Sequence, residues 1–334
     1  EMVEEAGVKV FLNTMMIQAQ VQDGKVGSIL VSNHSGISAL EADCFIDATA
    51  YGDLCASAGA AFTEPNDKRI SEPIGISGVD MDKYAAFFES YGALSDCAYG
   101  LRDGQPEQLI RVNGRLSQLP EEFVETCKEI GLALILTATH KDQFLFMKLD
   151  YKLPVSPTNR DAMSAAELAI RKNQEKAIAL LRKYVPGCER AYISRTPPSA
   201  CIRRGRCIEC DYDITNEDVT SGRHFEDDVF EYGFHDEAPA FNVAEGGSYG
   251  FPYRAMLPKG LENVFATGMM ITSNHHAHMS TRNTVSCMAQ GQAAGTAAAL
   301  CAMNALSTRA LPYGILRAKL LENGVYLDGV PEKK

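Results

Sequence analysis

The chain has 334 residues, 46% hydrophobic and 22% charged, the balance of a globular protein with one large domain or two. A net charge of −11 argues against a broad nucleic-acid or anionic-membrane footprint, and no run is apolar enough to span a bilayer. The 10 cysteines are scattered rather than framed, which fits reduced thiols and a cytoplasmic location.

The first stretch reads as sheet. "VKVFLN" (8–13) is a short apolar run after a glycine, the pattern of a buried strand. "MIQAQVQ", "VGSILVS" and "ISALEADCFIDAT" follow, separated by the turn sequences "DGK" and "NHSG", which predicts an antiparallel meander. "CFID" (44–47) is a buried strand leading into the polar turn "ATAYGDL", and an Ala-rich helix follows. A strand, a tight turn and a helix N-terminus commonly hold an anionic or dinucleotide ligand.

The middle, 64–200, alternates helix and strand and predicts an inserted α+β lobe. "MDKYAAFFESYG" and "PEEFVETCKEIG" have helical spacing, and "LALILTAT" and "QFLFMKLDY" are strand-like. The spacing from Ser164 predicts a long helix opened by a Ser164–Glu167 capping box and ended by Pro186-Gly187.

From 201 to 306 the sequence returns to small residues. "NVFATG" (263–268) is a strand ending at Gly268, where a ligand can approach the backbone. "NHHAHMSTR" (274–282) is then a long polar loop carrying His275, His276 and His278. A helix spans about 284–305 and places Gly291 and Gly295 on one face, which predicts close packing against a sheet or a cofactor. Residues 307–334 are a terminal helix and tail.

Four stretches together resemble FAD-dependent oxidoreductases of the glutathione-reductase-2 type. They are "FIDATAYGDLCASAGA", "CIRRGRCIECDYDITNEDVTSGRHFEDDV", "YGFPYRAMLPKGLENVFATG" and "SNHHAHMSTRNTVSCMAQGQAAGTAAAL". They occur in the family's order from residue 1 to about 305; the inserted 64–200 matches in position and less in sequence. The resemblance implies an α/β fold with a Rossmann-like, three-layer FAD/NAD(P)-binding domain, formed by 1–63 and 201–306 with a β-meander, and a substrate lobe at 64–200. It implies hydride transfer between a small-molecule substrate and FAD. The cofactor-binding residues carried over are Ala48, Thr49, Gly52, Asp53, Gly268, Met269, Arg282, Asn283 and Gly291. The catalytic candidates are His275, His276, Arg206 and Arg254. By the same likeness, His275 or His276 faces the substrate and moves a proton; the alternative is that both are polar loop residues bonded to backbone.

Three departures qualify the resemblance. No G-x-G-x-x-G precedes the first strand, so the expected glycine-rich loop lies on a segment upstream of Glu1 or on a second chain. The alternative reading is a partner-dependent or non-catalytic fragment that does not bind FAD alone. The family's Thr-Gly is Thr49-Ala50 here, and its "AGR" is "TGM" at 267–269, which removes a cation. No Asp, Glu or Cys beside the histidines completes a ligand set, so no metal is expected. Cys207-x-x-Cys210 has no second pair and reads as two incidental thiols. Arg203 and Arg206 either anchor an anionic substrate or pair with acids such as Asp211 and Asp213.

Overall fold

A computed structural model describes residues 1–138, 140 and 145–329. The chain divides into two compact units, one formed by Glu1–Asp67 with Arg204–Lys334 and the other by Lys68–Arg203.

The first unit opens with a short helix α1 (Met2–Glu5) and then a meander, β1 (Met15–Gln22), β2 (Lys25–Asn33) and β3 (Gly36–Glu41). These pair antiparallel in sequence order, with the turns at "DGK" and "NHSG" as the pattern predicts. The expected strand at 8–13 does not form. Val8, Val10, Phe11 and Leu12 are exposed there, and an apolar run without a strand beside it gains nothing from extended pairing. The long run 37–49 is also broken, into β3 and a separate β4 (Phe45–Asp47), which leads through the 48–52 turn into α2 (Asp53–Ser57) and β5 (Phe62–Thr63).

The second unit is built on one six-stranded sheet, in the order β11-β6-β10-β9-β8-β7. Its elements in chain order are β6 (Ile70–Ser77), α3 (Met81–Ser90), β7 (Leu94–Arg102), β8 (Gln105–Gly114), α4 (Glu121–Ile130), β9 (Leu132–Thr137), β10 (Leu145–Tyr151), α5 (Arg160–Tyr184) and β11 (Tyr192–Arg195). Every pairing is antiparallel. Nearly all of β6 is buried, including Ser71, Glu72 and Ser77 beside its three isoleucines. The strand-like runs "LALILTAT" and "QFLFMKLDY" become β9 and β10, although positions 139, 143 and 144 lie outside the described residues. The long helix starts four residues before the expected capping box. Asn159 caps it by accepting from the Ala162 amide at 2.9 Å, while the Ser164 hydroxyl donates back to the Arg160 carbonyl at 2.8 Å and Glu167 accepts from the Ala200 amide.

The chain then returns to the first unit with β12 (Cys207–Ile208), α6 (Asn216–Thr220), β13 (Asp228–Tyr232), β14 (Tyr249–Pro252), β15 (Val264–Ala266), α7 (His275–Thr281), α8 (Thr284–Asn304) and α9 (Tyr313–Glu322). β12 pairs with β5 and β13 with β14, and β15 runs parallel to β4 with Val264, Phe265 and Ala266 opposite Phe45, Ile46 and Asp47. The core includes Phe45, Tyr249, Phe251, Phe265 and the inner face of α8 at Ala293, Ala294 and Ala297. Gly291 and Gly295 lie on the opposite, exposed face, and a Cβ on either would meet nothing within 4 Å. The expected packing of these glycines against a sheet is therefore absent. Among the described residues no helix is long and apolar enough to cross a membrane.

Candidate functional site

Parallel pairing brings the carboxyl ends of β4 and β15 side by side, the edge at which open α/β sheets hold ligands. Asp47, fully buried, organises the turn after β4. Its carboxylate accepts from the Thr49 amide at 3.0 Å, the Thr49 hydroxyl at 2.7 Å and the Cys55 amide at 2.8 Å. The Thr49 oxygen in turn accepts from the Asp53 amide at 2.9 Å, so the first turn of α2 is held by the strand end. The turn needs two left-handed residues, Ala50 at φ 65° and Gly52 at φ 70°. A Cβ on Gly52 would stand 2.7 Å from the Ile208 side chain, which explains glycine there. Ala50 has no such relief and holds the strained conformation with a Cβ.

Across the pair, Thr267 donates from its amide (3.0 Å) and its hydroxyl (3.2 Å) to the Asp47 carbonyl. Gly268 follows at φ 89° with open space where a Cβ would be. Its amide donates to the side chain of Gln290 at 2.6 Å, and the Gln290 amide group donates to the Thr281 carbonyl at 2.9 Å and the Ser286 hydroxyl at 3.3 Å. One buried glutamine thus ties the end of β15 to α7 and α8. Ala48, Thr49 and Asp53 are exposed and Gly268 is half-buried, so this edge is open to a ligand, with its Thr49, Asp53 and Gly268 amides held by Asp47, Thr49 and Gln290. That arrangement fits a dinucleotide such as FAD. Met269, half-buried, lends its carbonyl to His278 Nε2 at 3.0 Å.

The "NHHAHMSTR" stretch is a helix, α7, and not the expected loop. Asn274 caps it by accepting from the amides of His276 and Ala277, both at 3.0 Å. The segment before it is clamped by Arg204, whose side chain is 1% exposed and donates to the carbonyls of Thr272 (2.8 Å), Ser273 (3.1 Å) and Asn274 (3.3 Å). The same guanidinium binds Asp67 at 2.9 Å, and Asp67 lies 2.7 Å from His275 Nδ1. The neighbouring His276 Nδ1 lies 2.7 Å from Glu237, and its ring packs on Phe241 at a 34° tilt with centroids 4.3 Å apart. Glu237 is anchored through its backbone, which donates to His235 Nδ1 at 3.1 Å; burial pushes the His235 imidazole below its ordinary range. His275, His276 and Glu237 each present a ligand atom within 4.8 Å of the others, a set able to hold a metal. Asp67, Arg204 and Glu237 were not picked out in the sequence. The carboxylates lie 208 and 39 positions from their histidines, so only folding pairs them.

The arginines separate. Arg206 donates to the Tyr51 carbonyl at 3.0 Å and to Asp53 at 2.8 Å, bracing the 48–53 turn. Arg254 is paired with Asp227 and lies over the rings of Tyr212 and Phe225 at 4.7 and 5.1 Å, and none of these contacts joins it to the α7 histidines. Arg203 pairs with Asp150 at 3.9 Å, both within the second unit. The expected acids take other partners, Asp211 binding Arg309 and Asp213 accepting from Ser273. Arg282 ends α7 and pairs with Asp236, an anion beside the start of α8, where Asn283 is the N-cap. Cys207 and Cys210 are buried and free; burial pushes the Cys207 thiol up to about 12 and also raises Cys210, which disfavours thiolate chemistry.

A strand-end edge with left-handed turns, beside a long small-residue helix, defines an α/β protein of the dinucleotide-binding class. The chain belongs to the FAD dependent oxidoreductase family, which it matches over residues 1–320. No curated protein matches it by sequence. It is similar in structure to a geranylgeranyl bacteriochlorophyll reductase-like protein from Thermoplasma acidophilum, at 11% identity and a TM-score of 0.41, covering 96% of this chain and 56% of that one. It is also similar to p-nitrophenol 4-monooxygenase from Pseudomonas putida DLL-E4, at 12% identity and a TM-score of 0.37, covering 93% and 55%. L-proline dehydrogenase from P. horikoshii matches at 12% identity and a TM-score of 0.31, covering 97% and 58%. The chain therefore spans little more than half the length of these structures.

Proposed function

We propose that this chain is an FAD-dependent oxidoreductase of the glutathione-reductase-2 type, acting on a small-molecule substrate. The observation that carries the reading is the parallel β4–β15 pair, with exposed Ala48 and Thr49 on one strand end and the open Gly268 on the other. Bound there, FAD would supply hydride-type oxidation and reduction. Asp47 holds the turn that receives it, Arg206 fixes Asp53, and Gln290 sets the Gly268 amide. Gly291, on the open face of α8, is available to the same ligand. His275 and His276 stand on the substrate side. A glycine-rich loop for the pyrophosphate would come from a further segment or a second chain. The free cysteines fit a reducing compartment, and we place the protein in the cytoplasm.

The visible spectrum of the purified protein after incubation with FAD tests the reading. Bound oxidised flavin absorbs in the blue, and a colourless protein would leave a partner-dependent subunit instead. With flavin bound, His275→Asn and His276→Asn are expected to slow its reduction by substrate and to keep FAD content unchanged. Unchanged rates in both variants would remove these side chains from the substrate side.

A further inference from the structure

We infer that His275, His276 and Glu237 form a divalent transition-metal site. Two imidazoles and one carboxylate, with ligand atoms within 4.8 Å of one another, are a donor set used for zinc and for iron in enzymes. Three further features distinguish the cluster from scattered polar side chains. First, it is braced. Asn274 caps the helix that carries both histidines, and Arg204 locks the chain leading into it through three carbonyls. Second, His275 has a carboxylate partner outside the three. Asp67 sits 2.7 Å from its Nδ1 and is itself held by the nearly fully buried Arg204 at 2.9 Å, the arrangement by which a carboxylate orients a ligating imidazole. Third, the site is open. Each histidine side chain is 43% exposed, so water or substrate can complete the coordination, as in a catalytic and unlike a closed structural site.

The charge balance agrees. Arg204 neutralises Asp67 and Arg282 pairs with Asp236; the Glu237 carboxylate, 2.7 Å from His276 Nδ1, would exchange that contact for the ion and offset part of a dication. The ligands are a borderline nitrogen pair with a hard oxygen. That set selects Zn2+, Fe2+, Co2+ or Mn2+ over Ca2+, and it disfavours the thiolate-seeking Cu+. An ion placed here would keep an open position suited to a substrate with an oxygen donor, such as a hydroxy, oxo or carboxylate group. The site goes beyond the flavin reading and does not depend on it, since its ligands come from α7 and Glu237 and not from the β4–β15 edge.

The test uses the purified, EDTA-treated and dialysed protein without added FAD. Titration with Co2+ is followed by its visible absorption, and Zn2+ binding by calorimetry. One equivalent is expected per chain. Glu237→Gln and His276→Asn should abolish or strongly weaken binding. Asp67→Asn should keep the stoichiometry and weaken affinity by about 10–100-fold, because it acts on His275 and not on the ion. A readout on the unaltered chain covers the case in which a variant misfolds: Zn2+ should protect His275 and His276 from diethylpyrocarbonate, mapped by peptide mass. Binding that survives both ligand substitutions, absence of stoichiometric binding, or modification of both histidines at the same rate with and without Zn2+ would each overturn the assignment. None of these outcomes bears on whether FAD binds.

Discussion

Gln290→Leu tests whether the glutamine of the "GQAAG" stretch is a structural tie. Gln290 is fully buried, and the substitution nearly conserves volume, so hydrogen bonding is what changes. Three partners lose it: the Gly268 amide at 2.6 Å, the Thr281 carbonyl at 2.9 Å and the Ser286 hydroxyl at 3.3 Å. Each orphaned group costs about 1–3 kcal/mol, at the low end for Gly268, which is half-buried, and for the long Ser286 contact. Burying an apolar side chain instead returns roughly 1–2 kcal/mol. The net expectation is a loss of about 2–3 kcal/mol, or a fall in Tm of roughly 5–10 °C for a unit of this size. Urea unfolding monitored by circular dichroism measures it. Gln290→Glu is the companion. It keeps the acceptor for Gly268 and regains a donor only when protonated, so its folded-state pKa should be raised. The unfolded chain then releases its proton first, and stability should fall as pH rises above the ordinary glutamate range. A loss below about 0.5 kcal/mol for the leucine variant would refute the tie.

Three other outcomes are expected. Ala50→Gly should stabilise by about 0.5–1 kcal/mol, since relief of a left-handed L-residue (about 1–2 kcal/mol) exceeds the added unfolded-chain entropy (about 0.4–1 kcal/mol); destabilisation in chemical denaturation would contradict the turn. Gly291→Ala should stabilise by about 0.5–1 kcal/mol, because its face is open and alanine favours helix; a loss of stability would refute the open face, and a fall in flavin content alongside higher stability would place that face against the cofactor. Burial pushes the Asp228 carboxyl up to about 7, against the opposing pull of the Phe225 amide and His224. The folded chain then keeps a proton that the unfolded chain releases near pH 4, so this group's contribution is present at low pH and is lost as pH rises through about 7. Asp228→Asn should flatten that slope in unfolding titrations from pH 4 to 8, and an unchanged slope would show that Asp228 does not carry it.

Local chemistry was readable where it was repeated or short-range. The meander followed from its two turns, the β4 turn from "FIDATAYGDL", and α8 from its small residues, because each is decided within a few positions of backbone geometry. Failures came where local signals competed. Asn159 could cap a helix as well as Ser164, and Asn274 turned an apparently polar loop into α7. The apolar run at 8–13 had strand composition, but a strand is defined by a partner that its own sequence does not contain. Which face of α8 the glycines occupy was equally undecided, since the helix is small-residued nearly all round and only packing chose Ala293, Ala294 and Ala297 as the inner side. The histidines show the division most plainly. Their presence and spacing were visible at once. The residues that give them chemistry, Asp67, Glu237 and the Arg204 that holds Asp67, come from distant parts of the chain. Side-chain hydrogen bonds act over about 3 Å and carry no signature along the sequence, so the tertiary structure alone decided that two adjacent imidazoles would each meet a carboxylate.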